Sequence, residues 1–219
     1  MSRSSSGDVD LLRACAQLSL CAYDDSQCRE LEYLEIDQTR LCTAHVLDHL
    51  FIAFRGTHSC QTMRVNLVPG SRAFGSREAP TTRVHRGYHD HYQVVRPSLL
   101  RKVDEFLREV DEPCVTIAGH SLGGACATIC ALDVARRSPQ CRVRCVTFGA
   151  PPAGNESFCE EFRRRVPTSH RVVHPQDPAV YLDRLRLHRH AGQPVLLRSS
   201  SVPARCTPHH IETYIRCLR

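Results

Sequence analysis

Residues 115–137 read VTIAGHSLGGACATICALDVARR, an apolar β-type run, a serine between two glycines, then a long stretch of alanine, leucine and other small residues. The run is short and bounded, as a buried strand is, and the later stretch has the length of a helix. Gly119 and Gly123 flank Ser121 at the one place where the two elements must meet. A strand that turns sharply into a helix through small residues brings both backbones close together and lifts the intervening side chain to the edge of a sheet. The segment therefore predicts a strand–turn–helix unit of a parallel sheet, with Ser121 on the turn.

The rest of the chain supports such a sheet. Helical spacing marks Leu11, Leu12, Cys15, Leu18 and Ala22, and LEYLEI, CTAHVL and HLFIAFRGT then read as strands. From Gly87 to Val110, Val94, Val95, Leu99, Leu100, Val103, Phe106 and Leu107 recur at helical spacing, with Pro97 either kinking that helix or starting its main segment. CVTIAG is a strand, LGGACATICALDVARR a helix, RVRCVTFGAP a strand, and NESFCEEFRRR a helix capped by Asn155. HRVVHPQDP reads as a strand ending in a turn, PVLLR as another strand, and TPHHIETYIRCL as a final helix. Alternating strands and helices, with strands that are nearly continuous Val/Ile/Leu/Cys runs, predict an α/β fold: a mostly parallel central sheet with helices on both faces. Residues 58–82 carry Gly, Pro and Ser punctuation and scattered apolar side chains and are too long for a routine connection, which makes them a candidate lid. Its apolar residues Met63, Val65, Leu67, Val68 and Phe74 either cover a pocket or pack on the core.

At 219 residues the chain is expected to form a single domain over 1–219, since one core serves up to about 250 residues. No stretch approaches the roughly 18 apolar residues of a membrane span, and MSRSSSGDVD has no apolar leader, which predicts an intracellular, cytoplasmic chain. Thirteen cysteines, an odd number without CxxC repeats, are expected as reduced thiols packed as small hydrophobes. Cys126 and Cys130 share a helix face and are read as packing groups. The net charge of +6 rests almost wholly on arginine, Lys102 being the single lysine. Even the Arg163, Arg164, Arg165 cluster lacks interleaved aromatics to stack bases, so no nucleic-acid partner is expected. His85, His89 and His91 gather in HRGYHDHY without an HExxH pattern, and no metal is expected.

A serine hydroxyl attacks a carbonyl only with a base in hydrogen-bond reach and an acid orienting that base. On a sheet of this kind the acid and then the histidine follow the serine in the chain. Asp177, in the turn after HRVVH, is the candidate acid, with Asp183 as the fallback; Asp133 falls inside the helix after the serine and is disfavoured. Histidines 188, 190, 209 and 210 follow. His120, beside the serine, is aimed away from it by the turn and is expected to pack or hydrogen-bond near it. The oxyanion that forms on attack needs donors aimed at it. The backbone N–H of Leu122 supplies one, and Thr57, in the loop after FIAFRGT, offers another through its N–H and hydroxyl.

FRGT, VHRGYHDHY, TIAGHSLGGACA, CVTFGAPPAGNESF, RVVHPQDPAVYL and HHIETYI stand in the order and approximate spacing of the class 3 lipases, fungal-lipase-like α/β-hydrolases, and the chain resembles that family over roughly residues 45–216. The resemblance implies the α/β-hydrolase fold; a triad of Ser121, Asp177 and His209, with His210 as the alternative base; oxyanion donors at Thr57 and Leu122; and a lid after FRGT. It further implies hydrolysis of carboxylic esters such as acylglycerols or phospholipids without cofactor or metal, and peripheral contact with lipid surfaces. The chain departs from the family pattern in reading MRVNLVPGS, with no tryptophan, where many relatives carry tryptophan and aspartate. A noncatalytic binding protein on the same fold, and an acyltransferase using the same triad, are the competing readings; the first would be marked by a missing triad member.

Overall fold

The computed structural model describes residues 6–24, 26, 28, 30–58, 68–75, 80–181, 187–197 and 207–218. Helix α1 (Ser6–Cys21) precedes strands β1 (Glu32–Ile36), β2 (Thr39–Val46) and β3 (His49–Phe54), which pair as two antiparallel hairpins. Tight turns join them at Asp37 and Leu47, both with positive φ. After β3 come the short strands β4 (Ser71–Ala73) and β5 (Arg83–His85), then α2 (Arg86–Glu109), β6 (Cys114–His120), α3 (Leu122–Arg137), β7 (Arg142–Phe148), α4 (Glu156–Arg165), β8 (Thr168–Val173), a 3₁₀ turn at Pro178–Tyr181, β9 (Gln193–Leu196) and α5 (Ile211–Cys217). The main sheet runs β1-β2-β3-β6-β7-β8-β9, and the four pairings from β3 to β9 are parallel. The expected mostly parallel sheet is thus present, with an antiparallel meander at one edge.

Side-chain alternation along the strands divides the core in two. Ile52, Ile117 and Cys145 are register partners and point into one cluster with α2, α3 and α4. One residue along, Cys42, Ala53, Ala118 and Val146 form the opposite row and meet α1 and α5. Alanines at 53 and 118 leave room for Cys15 and Ala16 of α1, all fully buried. Helices therefore cover both faces, and the central strand β6 is buried along its whole length, as a parallel sheet requires.

Helix α2 runs unbroken from Arg86 through Pro97, so neither a break nor a start falls at the proline. Proline there removes the hydrogen bond that the Gln93 carbonyl would have received and crowds that carbonyl with its ring, while Val95, Leu99 and Val103 keep the buried face continuous. Asn155 caps α4 as expected, its side chain accepting the Phe158 N–H at 3.1 Å. The buried carboxylate of Asp133 accepts from Arg96 at 2.6 Å and from Tyr92 at 2.8 Å, which binds α3 to α2.

Two expectations need correction or narrowing. Cys21 and Cys28 form a disulfide instead of lying reduced; the chain reverses after α1, which brings together two cysteines that no local pattern pairs. Nine other described cysteines are free, and burial pushes thiols such as Cys126 and Cys145 up to about 12, as expected of packing groups. Of the segment 58–82, residues 59–67 and 76–79, with Met63, Val65 and Leu67, lie outside the described residues. Val68 is half-buried. The remainder is tied to the scaffold: β4 pairs with β5, and Phe74 packs against Phe158 with the Arg136 guanidinium over its ring. Arg136 is itself held by buried Glu161. Phe74 is thus a packing residue.

Ile117 sits at the centre of the sheet with no exposed surface. Ile117→Ala is expected to cost about 2–5 kcal/mol, because a packed sheet closes only partly around the lost atoms. Urea unfolding measures this as a lowered midpoint with an unchanged slope.

Candidate active site

The turn expected at Ser121 is present and closely packed. Ser121 has φ 57° and ψ −128°, a region that side chains other than glycine rarely occupy. Its N–H donates to the Phe148 carbonyl at 2.9 Å, and its own carbonyl accepts from Gly124 at 2.9 Å and Ala125 at 3.2 Å, which fixes the strained residue from both sides. The two glycines are required by proximity. A Cβ on Gly119 would lie 2.3 Å from the Gly123 carbonyl oxygen, and one on Gly123 would lie 2.3 Å from that of Phe54. Only bare backbone lets α3 start this close to β6 and β3.

Three loops at the same sheet edge then converge. His209 Nε2 lies 2.9 Å from Ser121 Oγ, and His209 Nδ1 lies 2.9 and 3.0 Å from the two oxygens of Asp177. A carboxylate only accepts, so Nδ1 carries the proton and Nε2 is left to accept from the serine hydroxyl. Asp177 is completely buried in the turn after β8. Burial alone would push its carboxyl up, but hydrogen bonds from His209 and Tyr214, the field of His209 and the Ala179 N–H outweigh it and hold the group below its ordinary value. The Tyr214 hydroxyl donates to Asp177 Oδ2 at 2.5 Å, and Ala179 N–H donates to Oδ1 at 2.8 Å. Gly149, at φ +55°, leaves the space: a Cβ there would meet Asp177 Oδ2 at 2.3 Å.

His210 is exposed at the start of α5 and makes no cap hydrogen bond through its side chain, so of the doublet it is His209 that meets the serine. Leu122 is the first residue of α3 and fully buried; its N–H has no carbonyl within the helix to bond. Thr57 is half-buried just past β3, whose last residue Phe54 pairs with Gly119. Gly56 beside it packs on the elbow, where a Cβ would fall 2.5 Å from the His120 carbonyl oxygen. Asp183 lies outside the described residues, and Asp133 is engaged between α2 and α3.

His120 is buried and points away from Ser121, as expected. Its Nδ1 lies 2.8 Å from the Tyr23 hydroxyl and its Nε2 2.5 Å from the His209 carbonyl oxygen. His85 caps α2 against Tyr88, His89 faces Asp90, and His91 bonds Thr39, so these three histidines have separate partners. Among the described residues no three His, Cys, Asp or Glu side chains are grouped to hold a metal ion. No described helix is long and apolar enough to cross a membrane. Sequence reasoning missed Tyr23, Gly149 and the hydroxyl of Tyr214; the tyrosine five residues after His209 was the one visible signal.

A parallel sheet with a strained serine turn after its central strand, followed in chain order by a buried acid and a histidine, defines the α/β-hydrolase fold. A family model described as lipase (class 3) matches residues 51–183, and the chain belongs to that family. A Caenorhabditis elegans lipase is 32% identical over 149 residues, 65% of this chain and 40% of that protein. A chloroplastic phospholipase A(1) of Arabidopsis thaliana is 28% identical over 173 residues, 70% of this chain and 38% of that one. The chain thus spans about two fifths of the length of these relatives. Among solved structures, a Rhizomucor miehei lipase in complex with its propeptide has a TM-score of 0.78 at 23% identity, over 90% of this chain and 69% of that one. Another neighbour, with a TM-score of 0.73 at 23% identity, over 89% of this chain and 82% of that one, is a triacylglycerol lipase whose catalytic centre is formed by a serine protease triad.

Two predictions follow from this geometry. Gly123→Ala drives a methyl group into the Phe54 carbonyl and the backbone of Arg55. It should push the start of α3 away from the end of β3 and destabilise the fold by about 1–3 kcal/mol, as overpacking does; the urea midpoint measures it. Burial, reinforced by His209, pushes the His120 imidazole from its ordinary 6.5 down to about 3. The folded ring stays neutral where the unfolded one binds a proton, so its contribution is complete above about pH 6.5 and is lost as pH falls toward about 3. His120→Gln should flatten the urea-midpoint profile across that window by about one proton.

Proposed function

We propose that this chain is a serine carboxylic-ester hydrolase that cleaves acyl esters of lipids, acylglycerols or phospholipids, through an acyl-enzyme. The observation that carries the reading is the unbroken line from Ser121 Oγ through His209 to the buried, ionised Asp177, with 2.9 Å at both hydrogen bonds. In this reading Ser121 attacks the ester carbonyl while His209 Nε2 takes its proton. Electrons move onto the carbonyl oxygen, which the N–H groups of Leu122 and Thr57 stabilise. The imidazolium is stabilised by Asp177 and returns its proton to the departing alcohol as the tetrahedral intermediate collapses to the acyl-enzyme. Water, giving a proton to the same imidazole, then attacks the acyl carbon; the bond to Ser121 Oγ breaks, the imidazolium returns the proton to that oxygen, and the carboxylic acid leaves.

The strained turn also supports this chemistry. It holds the hydroxyl at the edge of the sheet without a side-chain cap bond to α3, so Oγ is directed to the imidazole and not to the helix it precedes. Lipid esters are favoured as substrates by the relatives, a lipase and a phospholipase A(1), and peripheral contact with a lipid surface follows from such substrates.

Ser121→Ala is expected to reduce hydrolysis of a p-nitrophenyl ester by at least about 10³-fold and to abolish labelling by a fluorophosphonate, leaving only slow turnover supported by the oxyanion donors. Undiminished hydrolysis in that variant would refute the assignment. A folded wild-type chain that takes no label and cleaves no ester would mark a binding protein, and transfer of the acyl group to an alcohol acceptor in preference to water would mark an acyltransferase.

A further inference from the structure

Tyr23 lies outside every element that carries the triad, yet its hydroxyl sits at the junction of two of them. It is 2.8 Å from His120 Nδ1, and it stands against the Gly56 backbone. The fit at Gly56 is close: a Cβ there would stand 2.1 Å from the Tyr23 oxygen. On the far side of the ring, His120 Nε2 meets the carbonyl oxygen of His209 at 2.5 Å. Tyr23 itself is carried two residues beyond Cys21, in the loop that the Cys21–Cys28 disulfide closes.

The direction of each bond follows from which groups can donate. A carbonyl only accepts, so His120 Nε2 bears the proton, and a neutral ring leaves Nδ1 as an acceptor. Burial holds the ring neutral. Tyr23 O–H therefore donates to Nδ1. The result is one line of contacts: Gly56 packed on the Tyr23 oxygen, Tyr23 O–H to His120 and His120 N–H to the His209 carbonyl.

Building on the hydrolase reading, we infer that Tyr23 is a positioning residue: through His120 it locks the loop bearing the Thr57 donor and the backbone of the base His209 in register with Ser121. Neither Tyr23 nor His120 touches the reacting atoms. What they fix is the separation of the oxyanion donor from the base, two groups on different loops. Catalytic groups need such outside support because small displacements cost large factors in rate.

The test uses the whole chain with p-nitrophenyl butyrate as substrate. Wild type and Ser121→Ala are compared first, which judges the hydrolase reading without involving Tyr23. Tyr23→Phe, which removes one oxygen, is then expected to lower kcat by about tenfold or more, less than the 10²–10³ of deleting a donor outright, while KM stays within about twofold. Fluorophosphonate labelling should slow in parallel. His120→Leu should fall as far as Tyr23→Phe, and His120→Gln, which keeps a donor and an acceptor, should recover part of the loss. In the ¹⁵N spectrum of the wild type, His120 should carry its proton on Nε2, and Tyr23→Phe should shift Nδ1 toward an unbonded lone pair. An active wild type beside a folded Tyr23→Phe with unchanged kcat overturns this inference and leaves the hydrolase reading standing. So does a variant that loses only thermal stability. An Nδ1–H tautomer, or equal kcat in His120→Gln and His120→Leu, also overturns it, and these decide the matter if Tyr23→Phe does not fold. A wild type inert toward esters sinks both readings together.

Discussion

The close seating of α3 on β6 and β3 is the constraint from which the rest of the site follows. Gly119 and Gly123 meet almost backbone to backbone, and the chain can pass from strand to helix in so little space only if Ser121 takes a left-handed φ. Strain of that kind persists only where the surroundings over-determine it. Here they do: the Phe148 carbonyl holds the serine N–H, the first turn of α3 holds its carbonyl, and Gly123 rests on the end of β3. Stability supplied by the two buried faces of the sheet thus maintains a conformation that no isolated peptide would keep.

Beside the strained residue, the buried carboxylate of Asp177 is well satisfied. Asp177 has no exposure and accepts from an imidazole, a phenol and a backbone N–H, so its charge is stabilised without water. An ionised, motionless carboxylate is what a neighbouring imidazole needs if it is to become positive during reaction. Elsewhere in the chain Asp133 and Glu161 are buried in a comparable way, but each is neutralised by arginine. The same device, a buried carboxylate, faces a guanidinium in two places and an imidazole in the third; the difference is whether the partner carries a permanent charge.

Much of this was legible in the chain itself because the informative stretch is contiguous. Strand, turn and helix lie within 115–137, and the small residues that permit their contact are adjacent to the serine they expose. The acid was legible from its place after a strand, and the histidine from the tail pattern, although His210 could be separated from His209 only by where the backbone points. Less local features were not readable. The pairing of Tyr23 with His120 spans 97 residues, and the Cys21–Cys28 bond depends on how the chain reverses after α1. Phe74 was ambiguous for a similar reason: an apolar side chain in a loop covers a pocket or packs on the core according to what stands opposite, here Phe158 and Arg136.

Acid and base are anchored by separate means. Asp177 is set by the end of β8 and the 3₁₀ turn, whereas His209 is set by its carbonyl on His120 and by α5, whose Tyr214 reaches back to the acid. The chain between them is itself fastened where it is described, through β9 beside β8 and through His190, which donates to the Val180 carbonyl. A change of length before β9 would therefore reach the acid before it reached the histidine.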